Sequence, residues 1–145
     1  MAGKREQFDR LQDEIQDLID DLWQVPRFAG LRRGFRPQVD VVRSDDPPEF
    51  RVVLELAGID PEQLRIFADD RTLVVAGVRS RTAHGRFFHM EIDYGHFQRR
   101  VQFPERVDPG EARAEYRRGL LTILLPVAER APVQERVTIA VGGGS

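Results

Sequence analysis

LRIFADDRTLVVAGV spans residues 64–78 and contains two short apolar segments on either side of a polar turn. The segments are Leu64–Ala68 and Leu73–Val78, and Asp69-Asp70 lies between them. Short runs of branched apolar residues that end at Asp, Gly or Pro are typical of β-strands joined by tight turns. This stretch therefore predicts two neighbouring strands.

Apolar segments of similar length lie on both sides of this pair, at 49–56, 97–103 and 120–125. They are separated by turn-forming residues, namely Pro47-Pro48, Gly58, Asp60-Pro61, Pro104, Asp108-Pro109-Gly110 and Gly119. Strands at this spacing, with no helix of useful length between them, predict an all-β sandwich of two packed sheets. We assign it to residues 37–126, between an N-terminal arm and linker at 1–36 and a C-terminal extension at 127–145.

Residues 3–24 carry a different, helical pattern. Apolar residues recur at spacings of three and four and form a stripe, with acidic residues mostly on the other side. We call this set the N-terminal stripe: Phe8, Leu11, Ile15, Leu18, Leu22 and Trp23, with Ile19 beside it. An isolated amphipathic helix is only marginally stable in water. The stripe is therefore expected to be buried on its own domain, on other subunits or on a client protein.

Two further segments predict strands that need a partner. Between Ser80 and Gly95 the apolar residues alternate with polar ones, which is the period of a strand; they are Phe88, Met90, Ile92 and Tyr94. This strand either folds back on its own sheet or pairs with a second subunit, since exchange of an identical element is a low-cost route to a dimer. In the tail, Val137–Val141 forms either a last strand of the domain or a peptide that binds the sheet edge of another subunit.

Composition excludes several classes of protein. The 145 residues are 41% hydrophobic and 32% charged, which suits one folded core. The formal net charge of -2 creates no strong field, so neither nucleic acid nor a membrane is an expected partner. The absence of cysteine excludes disulfides, thiol catalysis and zinc–thiolate sites. With no apolar signal region in the first ten residues, we expect a cytoplasmic protein.

The residues that usually carry catalysis occur without a recognisable arrangement. None of Ser44, Ser80 and Ser145 lies in a nucleophile-elbow sequence, and no glycine-rich phosphate loop is present. His84, His89 and His96 match no zinc spacing. We therefore expect no enzyme activity, no metal and no cofactor, but a protein that acts through its surfaces.

Four motifs in order resemble the α-crystallin domain of the small heat-shock protein family. They are Ala57-Gly58-Ile59 followed by Leu64 and Ile66; Leu73-Val74-Val75-Ala76-Gly77; the stretch from Tyr94 to Pro104; and Ala114 with Gly119 and Leu121, which fits the family's alanine, four residues, glycine-x-leucine signature. Each motif alone is weak, but their order and spacing agree over most of the chain. Ala57, Val78, Ile92 and Val127 depart from the usual residues, and two of these changes remove possible interface ion pairs.

The resemblance implies an immunoglobulin-like β-sandwich that forms dimers and then larger homo-oligomers. The implied dimer contacts are Phe88, Met90, Ile92, Tyr94 and Arg99, although Arg99 also fits an ordinary surface arginine. The tail carries the family's isoleucine-x-isoleucine/valine motif in two registers, Val137-Thr138-Ile139 and Ile139-Ala140-Val141. This motif would fill a groove on a neighbouring dimer, for which strand position suggests Leu64, Ile66, Leu121 and Ile123.

The function implied is an ATP-independent chaperone, a holdase that binds partly unfolded client proteins and prevents their aggregation. Its partners would be copies of itself and unfolding clients. Two alternatives stay open at this point: a co-chaperone module that binds one folded partner, and an enzyme or ligand-binding protein on a similar sandwich, since a fold alone does not determine function.

Overall fold

The computed structural model describes residues 34–129 and 136–143. In these residues the chain forms nine strands and two short 3₁₀ turns, at Pro61–Gln63 and Pro109–Glu111. The strands are β1 Val39–Asp45, β2 Pro48–Glu55, β3 Arg65–Asp69, β4 Thr72–Arg79, β5 Gly95–Gln102, β6 Arg113–Arg117, β7 Leu120–Pro126, β8 Arg136–Thr138 and β9 Val141–Gly142.

The strands form two sheets, one of five strands in the order β1-β2-β7-β6-β9 and one of four in the order β5-β4-β3-β8. All pairings are antiparallel except that of β6 with β9. The predicted all-β sandwich is confirmed, and the opening stretch at 64–78 becomes the β3–β4 hairpin. The predicted helix at 3–24 lies outside the described residues.

The core lies between the sheets because the inward positions of each strand alternate with outward ones. In β2 and β7 the inward residues are fully or almost fully buried: Phe50, Val52, Leu54, Leu121, Ile123 and Leu125. From the other sheet they meet Ile66, Ala68, Leu73, Val75 and Phe97. Gly77 makes room for the Phe97 ring, since a Cβ there would approach that ring to 3.0 Å.

The turns are built by the residues that predicted them. The Asp69 carboxylate accepts hydrogen bonds from the backbone N–H groups of Arg71 and Thr72, at 2.9 and 2.8 Å. The β6–β7 hairpin turns through Arg118 and Gly119, with φ of 55° and 78°. Two central residues of positive φ are typical of the tight turn that matches strand twist, and glycine adopts this conformation without strain.

A buried hydrogen bond links β6 to the segment just after β2, across the strand β7 that lies between them. The Tyr116 hydroxyl, on β6, donates a 2.8 Å hydrogen bond to the Leu56 carbonyl just beyond β2. Tyr116 is buried, so its hydroxyl has little access to water as an alternative partner.

We expect Tyr116→Phe to lower the free energy of unfolding by about 1–2 kcal/mol, because the Leu56 carbonyl loses its donor inside the protein. Urea unfolding followed by circular dichroism measures this, with the slope of the transition as a check that the unfolded state is unchanged. An unchanged midpoint would contradict the assigned hydrogen bond.

Candidate functional site

The tail closes one side of the sandwich by joining both sheets. β8 lies antiparallel to β3, with Ala68 opposite Val137. The Ile139 N–H then donates a 3.0 Å hydrogen bond to the Ile66 carbonyl. β9 crosses to the other sheet and lies parallel to β6, with Ala114 opposite Val141. Of the two placements that the sequence left open, the chain adopts docking on its own domain.

Successive side chains of this segment point alternately toward the core and toward solvent. Ile139 is 7% exposed and belongs to the core, while Val137 and Val141 pack half-buried against it. Thr138 and Ala140 are exposed. The two registers of the predicted motif therefore do not compete in this chain, since all three apolar residues face inward at once.

The four residues predicted to form the groove are not among those that line the groove beside the tail. Leu64, Ile66, Leu121 and Ile123 are all buried in the core cluster that includes Ile139. The groove beside the tail is formed by residues that the sequence analysis missed: Pro109, Gly110, Ala112, Arg113 and Ala114. The available signal was Ala114, a small residue in the quoted signature, which leaves space at the sheet edge. The role of the four predicted residues in accepting a tail stays a prediction.

The opposite edge of the five-stranded sheet is β1, and it is open. Every residue of β1 after Val39 is exposed, and Val41 and Val42 are exposed by 46% and 53%. Val41 pairs with the buried Val52, so it lies on the inward face and still contacts water. An edge strand with unpaired backbone groups and exposed valines is a ready site for another strand.

The loop between β4 and β5 holds the predicted dimer contacts, and it forms no strand in this chain. Phe88 is 93% exposed, Ile92 is 60% exposed and Met90 is 45% exposed, whereas Tyr94 is half-buried near the end of the loop. The alternative in which this segment pairs with its own sheet is thus not adopted. Pairing with a second subunit stays a prediction.

The end of this loop is fixed by Arg79, which the sequence analysis missed. Its guanidinium carbon lies 3.6 Å from the centre of the Phe35 ring. Arg79 Nε donates a 2.9 Å hydrogen bond to the Asp93 carbonyl, and Nη1 donates one of 3.3 Å to the Ala57 carbonyl. The next arginine, Arg81, lies 4.9 Å from the Tyr94 ring centre. These contacts fix both ends of the loop and leave its apolar middle exposed.

Arg99, the predicted interface arginine, points to the inward face of β5, as Phe97 does. Its Nη1 donates a 2.6 Å hydrogen bond to the Pro37 carbonyl. Burial, and after it the charge of Arg36, lower the pKa of Arg99 below its ordinary value. Within one chain Arg99 therefore holds the segment before β1, and its neighbour Arg100 is the exposed one.

Arg43 extends from β1 to the loop after β5. Its Nε and Nη2 donate hydrogen bonds of 2.5 and 3.2 Å to the two carboxylate oxygens of Glu105, and Asp45 forms a second ion pair. The hydrogen bond from Arg43 lowers the pKa of Glu105. This two-pronged pair links the open edge strand to the loop after β5 at the protein surface.

We expect the stabilisation from Glu105 to depend on pH. Because its pKa is lower in the folded state, the contribution is present above the unfolded value of about 4.3 and is lost as the pH falls through the folded value. Glu105→Gln should therefore lower the melting temperature at pH 7 and have no effect at the acid end. In an Arg43→Gln background the same substitution should have no effect at any pH; an equal loss there would contradict the pairing.

The histidine-rich part of the loop shows a pair rather than a cluster. His89 Nε2 forms an ion pair with the Glu91 carboxylate, and both side chains are 78% exposed. Among residues 34–129 and 136–143, no three His, Cys, Asp or Glu side chains come together in a way that would hold a metal. None of the helical segments in that part of the chain is long and apolar enough to cross a membrane.

Comparison with known proteins assigns the chain to a family. The profile described as the Hsp20/alpha crystallin family matches residues 42–142, which include all nine strands except the start of β1. The chain belongs to the Hsp20/alpha crystallin family. The family is one of chaperones, the small heat-shock proteins.

Individual relatives of this Hsp20 chain agree with the profile. It is 32% identical over 120 residues to the alpha-crystallin of Mycobacterium tuberculosis, covering 79% of this chain and 80% of the relative. The crystal structure of hspA from Xanthomonas axonopodis is 32% identical with a TM-score of 0.59, covering 67% and 98%. That of a small heat-shock protein from Xylella fastidiosa is 30% identical with a TM-score of 0.57, covering 70% and 94%.

The family signature falls on the β6–β7 hairpin, which lies between β2 and β9 in the five-stranded sheet of the Hsp20 domain. Ala114 pairs with the tail, Gly119 forms the turn, and Leu121 is buried in the core. A Cβ on Gly119 would approach Ala57 to 3.2 Å, so this turn packs directly on the segment that follows β2.

Proposed function

We propose that this protein is an ATP-independent holdase that works as a homo-oligomer and prevents aggregation of partly unfolded proteins. The observation that carries the proposal is the tail edge, where a short β-branched segment is bound by backbone hydrogen bonds and one buried isoleucine. An unfolding client presents the same features, namely extended backbone and apolar side chains.

Assembly would use both edges of the sandwich. The exposed apolar residues of the loop, Phe88, Met90 and Ile92, would pair with the open β1 edge of a second subunit and form the dimer. Tails exchanged between dimers would then build larger particles, each tail using the β3–β6 edge that it occupies here in its own chain. The structure from Xylella fastidiosa carries the description "a distinct high order structure", which supports assembly as a property of a relative.

Client binding is assigned to the N-terminal stripe together with the tail groove. Burying an apolar side chain contributes roughly 1.5–3 kcal/mol, so a few residues give a reversible contact once ordering costs are subtracted. Dissociation on heating would uncover both surfaces. We place the protein in the cytoplasm, which its lack of cysteine permits.

The test is suppression of aggregation without nucleotide. A heat-labile client warmed alone scatters light, and we expect an equimolar amount of this chain to reduce that scattering several-fold with no ATP present. A folded protein of similar size without chaperone activity serves as the control. Equal scattering in both samples would overturn the holdase proposal, and tight binding to one folded partner would favour a co-chaperone module instead.

A further inference from the structure

The loop between β4 and β5 carries a local concentration of positive charge in its first half. We call residues 79–89 the basic segment. It contains no aspartate or glutamate, and its arginines are Arg79, Arg81 and Arg86. The nearest acidic residues along the loop follow this segment; they are Glu91, which pairs with His89, and Asp93. The formal net charge of -2 for the whole chain therefore conceals a positively charged surface.

Two of these arginines have no carboxylate that neutralises them. Arg81 and Arg86 are exposed, and in the part of the chain that the structure describes neither forms an ion pair with an acidic side chain. By contrast, Arg43, Arg106 and Arg117 each have a carboxylate partner at the surface. The basic segment thus presents guanidinium groups whose charge is open to an external anion.

Aromatic rings are interleaved with these guanidinium groups. The Arg81 guanidinium carbon lies 4.9 Å from the ring centres of both Phe87 and Tyr94. The Arg86 guanidinium carbon lies 5.9 Å from the ring centre of Phe88. Phe87 is 42% exposed and Phe88 is almost fully exposed, so both rings offer apolar surface to a ligand. A guanidinium that stacks on a ring keeps its N–H donors at its edge, where they are available to a phosphate.

We propose that the basic segment binds single-stranded nucleic acid. Phosphates contact Arg81 and Arg86, and unpaired bases stack on the exposed rings beside them. Cationic donors combined with exposed rings hold a single strand without reading its sequence, because every nucleotide has a phosphate and every base has a face that stacks. An acidic peptide would use the arginines and leave the rings without a role. The bases of a duplex are already stacked on one another, so a duplex gains nothing from the rings.

The net charge of the chain does not exclude this ligand. The expectation that nucleic acid is no partner concerned the long-range field of the whole protein, which a formal charge of -2 leaves weak. Salt screens charges beyond about 8 Å at physiological ionic strength, so a bound phosphate responds to the arginines next to it.

The residues that carry this site can be changed without touching most of the predicted dimer contacts. Arg81, Arg86 and Phe87 are not among those contacts, whereas Phe88 belongs to both sets. Substitutions at the first three positions therefore test nucleic-acid binding by itself. The inference goes beyond the proposed holdase activity and does not depend on it.

The experiment measures the fluorescence anisotropy of a labelled single strand of about 12 uridines, mixed with the full chain at several salt concentrations. We expect binding at low salt that weakens as salt rises, since each neutralised phosphate contributes about -0.7 to the slope of log K against log salt for a single strand. Arg81→Gln with Arg86→Gln should weaken binding about tenfold or more at low salt and make that slope shallower by about 1.4. The control, Arg51→Gln with Arg118→Gln, removes the same charge from exposed positions in the other sheet and its hairpin turn, and should leave binding unchanged.

Stacking is tested separately by Phe87→Leu, which should weaken binding about fivefold or more and leave the salt slope unchanged. Phe87→Tyr keeps a ring and should keep the affinity. Thermal unfolding should show equal stability for all these variants, since the loop residues that change are exposed.

The inference is overturned if the unmodified chain does not bind the strand at low salt, or if both arginine pairs weaken binding equally. Equal binding of inorganic polyphosphate, which has no bases, together with no effect of Phe87→Leu, would also overturn it, because attraction of any polyanion would then explain the result. If no strand binds and Arg81→Gln with Arg86→Gln weakens the dimer in the ultracentrifuge, the occupant is a second copy of the chain. Client protection is measured without nucleic acid, so the holdase proposal stands or falls by its own assay.

Discussion

Ile139→Asp should reduce the protein from a large oligomer to dimers. Ile139 is 7% exposed among core residues, and a carboxylate in that position would have to be buried without a charged partner or released with the tail. Release removes the segment from its own edge and equally from any neighbouring edge. Native mass spectrometry should then find particles of twice the chain mass of 16.6 kDa.

The matched control for this prediction is Ala140→Asp, one residue further on. Ala140 is exposed in the same segment, so it receives the same charge without burial, and the large oligomer should survive. A chain cut after Arg136 should behave like Ile139→Asp. Dimers or monomers in the unmodified protein, or large particles in all variants, would remove the tail from the assembly mechanism.

Met90→Asp with Ile92→Asp should convert the dimer to a monomer. Both residues are exposed in the single chain, so the substitutions cost the isolated domain little, and their effect appears only where a second subunit covers them. We expect a loss of affinity of about 100-fold or more, because two carboxylates would be buried against the valines of β1. Analytical ultracentrifugation on a background that lacks the tail isolates this step.

The control for the loop is Thr82→Asp with Ala83→Asp, which adds equal charge to its polar first half. Thermal unfolding should show equal stability for both double variants. If both double variants dissociate to the same extent, general charge repulsion is responsible rather than loss of strand exchange. If neither dissociates, the dimer uses another surface.

The all-β sandwich could be predicted because its inner strands combine branched apolar runs with clear turn residues. β1 and β6 gave weaker patterns and were not identified as strands. β1 is an exposed edge with polar residues at most positions, and β6 has only Ala114 and Tyr116 among charged neighbours. Edge strands receive much of their stability from backbone pairing with the next strand. Backbone pairing does not require an apolar side-chain pattern, so the sequence gives little sign of it.

The sequence identified the segments that form the candidate site, but it did not identify most of the residues that those segments contact. Val137, Ile139 and Val141 were recognisable because their alternation is local. The walls of their groove, such as Pro109 and Ala112, come from a turn distant in sequence and carry no local signal. Arg79 was missed for the same reason, since its partners at residues 35, 57 and 93 become neighbours only after folding.

Because the tail is tethered to the domain whose two sheets it joins, its own chain length determines how strongly it competes with the tails of other subunits. Nine residues separate β7 from β8, and a tether of this length holds the tail near its own edge at an effective concentration on the order of millimolar. A tail from a free subunit at micromolar concentration is therefore a poor competitor. Inside a particle, where neighbouring tails are crowded to similar density, the two arrangements become comparable. Growth should then be cooperative, and dilution should return subunits whose tail edge is already closed by their own tails, with only the β1 edge left open.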